Sequence, residues 1–267
     1  MSEPREELSA EEIRQGLKSS FIGAQVHAYA KTSSTMDRAV EAARAGAPEG
    51  ALFVADEQTA GRGRFGRAWV SPPGSQIMIS LVLRPKSEWL HQLNMAVPMA
   101  VARAVERTTG LKPMIKWPND VQLGGKKMAG LLVDVTGRDG QTEFAIIGIG
   151  LNVNFDPAKH PEIAAMATSI SEELGRPAAR LPILRALLEE FESLYERVKR
   201  GERLTQEYRA KLATLGQRVR VTWATGTAQE AKLEEGTAVD VDDAGALTIR
   251  REDGTKTQVV AGEVSLR

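Results

Sequence analysis

"MIKWPNDVQLGGKKMAGLLVDVTG", residues 114–137, is the stretch on which the fold turns. Two apolar runs flank the pair Gly124-Gly125, the residue type that supplies the backbone angles of a tight hairpin, so it reads as two antiparallel strands. Side chains alternate along a strand, which puts Lys126 and Lys127 on opposite faces. Lys127 therefore shares its face with Ala129 and Leu131, and Lys126 goes with Met128 and Gly130. Lysines on a hairpin also serve simply to keep an edge soluble. At the start of the hairpin Lys116, Asn119 and Asp120 surround a Trp-Pro step.

Working outward, "ALFVADEQ" (51–58), "QIMISLVLRP" (76–85) and "TEFAIIGIGLNVNF" (142–155) read as further strands. Apolar residues recur with three-four spacing from Leu93 through Val105, which predicts a helix ending near Gly110. "SSTMDRAVEAARAGAPEG" (33–50) places Ser34 three residues before Asp37, a capping pattern for a helix closed by Gly46 and Pro48. Helices are expected around 162–175, 181–200 and 204–214, the second turning Leu184, Leu187, Phe191, Leu194 and Val198 inward. Residues 1–25 read as a charged tail or short helix. Past "TLGQRVRVTW" (214–223) the pattern becomes short alternating strands separated by Gly-containing turns, a small all-β unit. The boundary falls near Leu215-Gly216, giving a tail (1–25), a main domain (26–215) and a C-terminal unit (216–267).

Composition narrows the chemistry. The 267 residues include no cysteine, which excludes disulfides, thiolate nucleophiles and Cys-ligated zinc and agrees with a reducing cytoplasm. The acidic, polar start is unlike a signal or transit peptide, and the longest apolar run is too short for a bilayer, so no membrane association is expected. With a formal net charge of +0, the chain lacks the broad positive field of a nucleic-acid binder. His27, His91 and His160 lie in unrelated contexts, and no metal-ligand spacing occurs.

Against that neutral background, "DEQTAGRGRFGRAWVSPPG" (56–74) sets Arg62, Arg64 and Arg67 among glycines. Backbone N–H groups of such a loop make an anion nest, and arginines add charge-assisted hydrogen bonds. The spacing matches neither a P-loop nor a dinucleotide fingerprint. A solvated basic turn, or an RNA contact, reads equally well from composition. Asn152 and Asn154 either terminate their strand or offer uncharged hydrogen bonds to a ligand.

Taken together and in order, "GRGRFGRAWVSPPG", "KWPNDVQLGGKKMAGLLVD" and "IGIGLNVN" resemble the biotin protein ligase family. "SST" before the first long helix and the terminal "GALTIRREDG" and "VVAGEVSLR" extend the likeness over most of residues 28–267. The resemblance is to the short, monofunctional class, without the N-terminal DNA-binding domain of the long members, so DNA binding is not expected. It implies an α+β fold, a central mixed β-sheet flanked by helices as in class II synthetases, followed by an SH3-like β-barrel. It implies activation of biotin by ATP to biotinyl-5′-AMP, then transfer to a lysine of a biotin carboxyl carrier protein. Ser34, Thr35, Gln58, Arg62, Gly63, Arg64 and Lys127 are then expected around biotin, with Lys127 as the catalytic lysine. Arg64, Arg67, Trp69, Lys116, Asn119, Asp120 and Asn152 are expected on the nucleotide side, and Mg²⁺ is expected to arrive with ATP rather than in a fixed protein site. Glu263 and Arg267 are expected to buttress that side. Homodimers formed through the sheet occur among relatives, but short members need not dimerise. The competing readings are a lipoate or octanoate ligase of related fold and a non-catalytic RNA-binding module. The second predicts aromatic platforms and broad basic surface, whereas the chain is 5% aromatic and neutral.

Overall fold

Hydrophobic strands buried on both faces need helices on both faces, and that requirement organises the chain. The computed structural model describes residues 8–224, 231–260 and 262–266. A short helix α1 (Ala10–Arg14) precedes β1 (Val26–Tyr29), α2 (Thr35–Arg44), β2 (Leu52–Ala55) and β3 (Gln76–Leu83). The long helix α3 (Leu90–Thr109) ends at Gly110, whose φ of 78° closes it in the left-handed conformation. The predicted hairpin follows as β5 (Asp120–Leu123) and β6 (Lys126–Arg138), after the short β4 (Met114–Lys116) and before β7 (Gln141–Asn152). Helices α4 (Ile170–Leu174), α5 (Arg180–Lys199) and α6 (Thr205–Lys211) complete this part. The helix expected over 162–175 is shortened to α4, with turns ahead of it.

The main sheet has seven strands in the order β1-β2-β3-β7-β6-β5-β4. It is mixed: β1 runs parallel to β2 and every other pair is antiparallel. One face presents Leu52, Val54, Ile77, Ile79, Leu81, Ile147 and Ile149 to α3 and α5, in a cluster that contains the five inward residues expected of α5. On the other, Phe53, Val82 and Ile146 pack under Met36, Ala39 and Ala43 of α2. The segment read as a tail contributes Leu8, Ile13 and Ile22 to the main core.

The hairpin departs from the expected alternation in one place. Val121 pairs with Ala129 but Gln122 pairs with Lys127, so Met128 is an extra residue on β6, a β-bulge. The bulge resets the faces. Lys127 lies beside Gly130, where a Cβ would sit 3.0 Å from its Cε, while Ala129 and Leu131 belong to the core on the opposite side. The grouping of Lys127 with Ala129 and Leu131 is therefore corrected, although Lys126 does remain exposed.

Strands β8 (Arg218–Ala224), β9 (Ala231–Val241), β10 (Leu247–Arg250), β11 (Lys256–Val259) and β12 (Glu263–Leu266) form an antiparallel, SH3-like unit in the order β11-β10-β9-β8-β12. Its Val219, Val221, Ala238 and Ile249 join the buried cluster of the main core. The Trp117 indole donates to Gly245 O at 2.8 Å, and Gln92 to Asp243 O at 2.7 Å. The buttressing expected of Glu263 and Arg267 falls outside the described residues and side chains.

At the opposite end, Glu192 of α5 holds the chain entering β1. Its carboxylate accepts from the backbone N–H of Ser20 at 2.6 Å, Phe21 at 3.0 Å and Ile22 at 2.8 Å. Burial pushes this carboxyl up, but the N–H donors outweigh it and hold it below the ordinary value of 4.5. A depressed carboxyl stabilises above its unfolded value and stops doing so as pH falls through the folded one. Glu192→Gln is therefore expected to cost about 1–2 kcal/mol at neutral pH, near the lower end for charge-assisted bonds. Urea denaturation at a series of pH values should find the gap from the parent closing below about pH 4.5; a gap constant into acid would contradict this account.

Candidate active site

Gly130 and Gly150 face each other across β6 and β7, and Gly148 pairs with Leu132 nearby. These glycines leave part of the α2-side face without side chains. A Cβ on Gly130 or Gly150 would lie 2.8 or 2.5 Å from ring atoms of Trp69, and one on Gly148 would lie 2.7 Å from Met36 Sδ. The Trp69 indole and Met36 thus rest directly on strand backbone. Around them opens a cavity of about 520 Å³.

The N-terminus of α2 forms one end. Ser34 occupies the N-cap position but its side chain makes no capping bond, so the expected capping box is absent. The helix start is held one residue earlier by Gln58, whose Oε1 accepts from the Thr35 N–H at 2.7 Å and the Thr35 hydroxyl at 3.1 Å. Thr35 Oγ1 lies 2.9 Å from Ser80 Oγ, and Gln58 Nε2 donates to Met78 Sδ at 3.4 Å. Paired polar groups beside thioethers make this an apolar slot with oriented hydrogen-bonding partners.

The Arg-Gly loop forms a second wall. It is folded on itself by Gly63 N–H to Arg67 O at 2.7 Å and Trp69 N–H to Gly61 O at 2.9 Å, around a short 3-10 turn at Arg64–Gly66. Two arginines tie it to its surroundings. Arg62 pairs with Asp37 in the first turn of α2. Arg64 Nη1 donates to Asn119 Oδ1 at 3.0 Å and to Gly262 O at 3.1 Å, reaching the C-terminal unit.

Gln76 joins this loop to the sheet. Its Oε1 accepts from Trp69 Nε1 at 3.0 Å, and its Nε2 donates to Val70 O and to Asn152 Oδ1, both at 2.9 Å. Asn152 Nδ2 donates in turn to Thr168 O at 2.9 Å. Asn154 forms a reciprocal pair with the Ala178 backbone, both bonds at 2.9 Å. On the far side Lys127 Nζ lies 2.7 Å from Asp120 Oδ1 and 5.6 Å from the Trp69 ring centroid. The Lys127 N–H donates to Met166 O at 2.7 Å and its carbonyl accepts from the Thr168 N–H at 2.9 Å, so the segment before α4 becomes part of the wall.

Ser34, Thr35, Gln58, Arg62, Gly63, Arg64, Arg67, Trp69, Lys116, Asn119, Asp120, Lys127 and Asn152, all expected around the ligands, line this cavity. Three arginines and two lysines stand against the carboxylate of Asp120 there, so among the described residues the lining is strongly cationic. The arrangement suits an elongated ligand with a neutral polar head, an apolar body and an anionic end. Sequence reasoning missed the floor glycines, Gln76, the wall residues Ile163, Ala165, Met166 and Ala167, and Gly262. Only the glycines left a signal: "IGIG" alternates bulk with nothing at strand period, which marks one face as open.

Residues 29–152 match the biotin/lipoate A/B protein ligase family, and residues 214–267 match the biotin protein ligase C-terminal domain. The biotin–[acetyl-CoA-carboxylase] ligase of Mycobacterium tuberculosis is 36% identical, over 93% of this chain and 93% of its own. The bifunctional ligase/repressor BirA of Bacillus subtilis is 34% identical, over 97% of this chain and 79% of its own. Among solved structures, the biotin protein ligase from Aquifex aeolicus in complex with biotin and ATP is similar with a TM-score of 0.77 at 28% identity, covering 91% of this chain and 99% of that one. With a site of this geometry and relatives matched along almost its whole length, the chain belongs to the biotin protein ligase family.

Proposed function

We propose that the chain activates biotin with ATP and transfers it to a lysine of a biotin carboxyl carrier protein of acetyl-CoA carboxylase. The observation that carries this reading is the union, in one cavity, of the polar-headed apolar slot at Thr35 and Gln58 with the cationic rim of the Arg-Gly loop and Lys127. The ureido ring of biotin takes the slot, with Ser34, Thr35 and Gln58 as partners. Its valeryl chain then runs over the glycine floor toward Lys127. Catalysis belongs to residues 26–215, and the described residues of the C-terminal unit complete the rim through Gly262.

In the first half-reaction a biotin carboxylate oxygen attacks the α-phosphorus of ATP. The bond from that phosphorus to the bridging oxygen breaks, and pyrophosphate leaves with the electron pair. Lys127 holds positive charge where the two anions meet, the kind of fixed charge that favours the transition state. Its ion pair with Asp120 keeps the ammonium at that place before substrate arrives. Lys116, Asn119, Asp120, Arg67 and Trp69 shape the nucleotide side. Asn152 acts there through the wall, because its amide is committed to Gln76 and Thr168. Among the described residues no group of three or more acidic or histidine side chains is placed to hold a metal. A Mg²⁺ carried by the triphosphate and waters fits a cavity whose carboxylate, among the described residues, is Asp120 alone. When bound, the ion supplies counter-charge to the phosphates, with Asp120 as the side chain that would hold it.

In the second half-reaction the carrier's lysine nitrogen attacks the acyl carbon of biotinyl-5′-AMP. An amide bond forms, the carbon–oxygen bond to phosphate breaks, and AMP leaves. The mixed anhydride is prone to hydrolysis, so a loop that covers it has the added use of excluding water. Biotin-dependent exchange of labelled pyrophosphate into ATP tests the activation step directly. Its absence in the purified chain would remove this reading.

Lys127→Ala is expected to lower that exchange about a hundred- to a thousandfold, as for other groups that stabilise developing charge. Lys126→Ala should stay near the parental rate, because Lys126 is exposed on the hairpin. Similar rates in the two variants would remove Lys127 from its role.

Arg64→Gly deletes the contacts to Asn119 and Gly262 and adds a flexible residue that costs more entropy to order. Losing charge-assisted bonds worth about 1.5–3 kcal/mol corresponds to about ten- to a hundredfold weaker retention of biotinyl-5′-AMP. Synthesis continues, since the phosphoryl chemistry lies at Lys127. Incubating the variant with biotin, ATP and albumin should label the albumin far more than the parent does; unlabelled albumin with normal exchange would show that the loop is not a lid.

A further inference from the structure

Arg180, the first residue of α5, is 1% exposed and lies outside the cavity. Its Nη1 donates to Asp56 Oδ1 at 2.6 Å and to the Gln76 carbonyl at 3.1 Å. These partners are the two ends of the Arg-Gly segment. Asp56 follows β2 directly, and Gln76 is the first residue of β3. The Gly74 N–H also donates to Asp56 O at 3.3 Å, so the two ends are drawn together at this guanidinium. The residues just before Arg180 are themselves anchored just past the end of β7 by the Asn154–Ala178 pair.

We infer that Arg180 is a positioning residue for biotin activation: it clamps both ends of the Arg-Gly loop and so fixes how that loop sits over the adenylate. The link is Gln76. Arg180 holds the Gln76 main chain, and the Gln76 side chain holds Trp69 and Val70 within the loop and Asn152 on the sheet. A shift of the Gln76 backbone would move the indole off the glycine floor, where there is no slack: a Cβ at Gly150 would meet the ring at 2.5 Å. Arginine suits the task because a planar, permanently charged fork serves two acceptors at fixed geometry, whereas a lysine is a point charge on a flexible stem. Burial of the charge is offset by Asp56, whose side chain is 19% exposed.

This inference rests on the ligase reading for its substrate, and the test separates the two. Removing the whole side chain would leave Asp56 without its buried countercharge, so Arg180→Lys is the better variant, with Asp56→Asn probing the same contact from its less buried partner. The full chain and both variants are compared in three ways. The first is the melting temperature. The second is the rate at which trypsin cuts after Arg62, Arg64 and Arg67, alone and with biotin plus ATP. The third is the rate at which preformed biotinyl-5′-AMP is released. The expected result is little change in melting temperature, faster cutting in the absence of ligand, and weaker protection by ligand. Adenylate release should rise about tenfold, equivalent to about 1.4 kcal/mol, with biotin KM rising more than kcat of exchange falls. A residue that only staples α5 to the sheet would lower the melting temperature and leave the loop's cutting and release rates parental in the folded protein. That outcome in either variant overturns the inference, and Asp56→Asn decides it alone where Arg180→Lys does not fold. A parent lacking biotin-dependent exchange would instead overturn the ligase reading, while the ligand-free trypsin comparison still decides the clamp.

Discussion

The Trp69 indole lies on strand backbone because Gly130 and Gly150 carry no side chains, and the site depends on that close approach. Any other residue at these positions would push the ring outward, since its Cβ would fall only 2.8 or 2.5 Å from the indole. The ring would then lose its bond to Gln76, and the loop that carries it would lose its registration on the sheet. The same sheet face is used in two ways along its width. Toward β2 and β3 it is filled by α2, through Phe53, Val82 and Ile146. Toward β6 it is left bare, and the difference between filled and bare is what makes a cavity.

The charge of the cavity is a local construction in a chain whose formal net charge is +0. Arg62, Arg64 and Arg67 come from one loop and Lys116 and Lys127 from the hairpin region, so the folded loop brings into one cavity cations that the sequence disperses. Three of these charges are steadied by identified partners: Arg62 by Asp37, Arg64 by Asn119 and Gly262, Lys127 by Asp120. These exposed or half-exposed pairs add little to stability. Their use is positional, since they set where positive charge stands before a carboxylate and a triphosphate must be brought together against their mutual repulsion.

Much of this was legible in the residues, and the exceptions have physical causes. The helix from Leu93 to Gly110 and the inward face of α5 follow from three-four spacing, which tertiary packing only reinforced. The hairpin was visible in Gly124-Gly125, but the partners of Lys127 were not, because a bulge inserts Met128 without any mark in composition. The cap of α2 was misread for a related reason. Ser34 has the right type and position, yet the acceptor that serves Thr35 N–H is Gln58, brought in from a loop by the parallel β1–β2 pairing. Local patterns report local hydrogen bonds; they are silent where a long-range partner secures the same helix end through a different donor. Arg180 is the extreme case, a charged residue at a helix start that sequence would place in solvent, yet the fold buries it between two strand ends.

The turn that leads into Asp120 is where the C-terminal unit meets the main sheet. The preceding Trp117 is held at its N–H by Thr214 Oγ1 at 2.8 Å and at its indole by Gly245 O at 2.8 Å. Tyr208 of α6 donates its hydroxyl to Pro118 O at 3.1 Å, and burial pushes that phenol well above its ordinary value, so it remains a donor. Nothing within residues 117–120 alone would fix these side chains, since a turn has few contacts of its own. The Trp-Pro step is held by α6 and the β9–β10 connection, the Asn119 amide donates to Leu131 O and Asp120 pairs with Lys127 on β6, and Arg64 spans from Asn119 to Gly262. This end of the cavity is thus a joint between two units of the chain, and the Arg-Gly loop, through Arg64, contacts both.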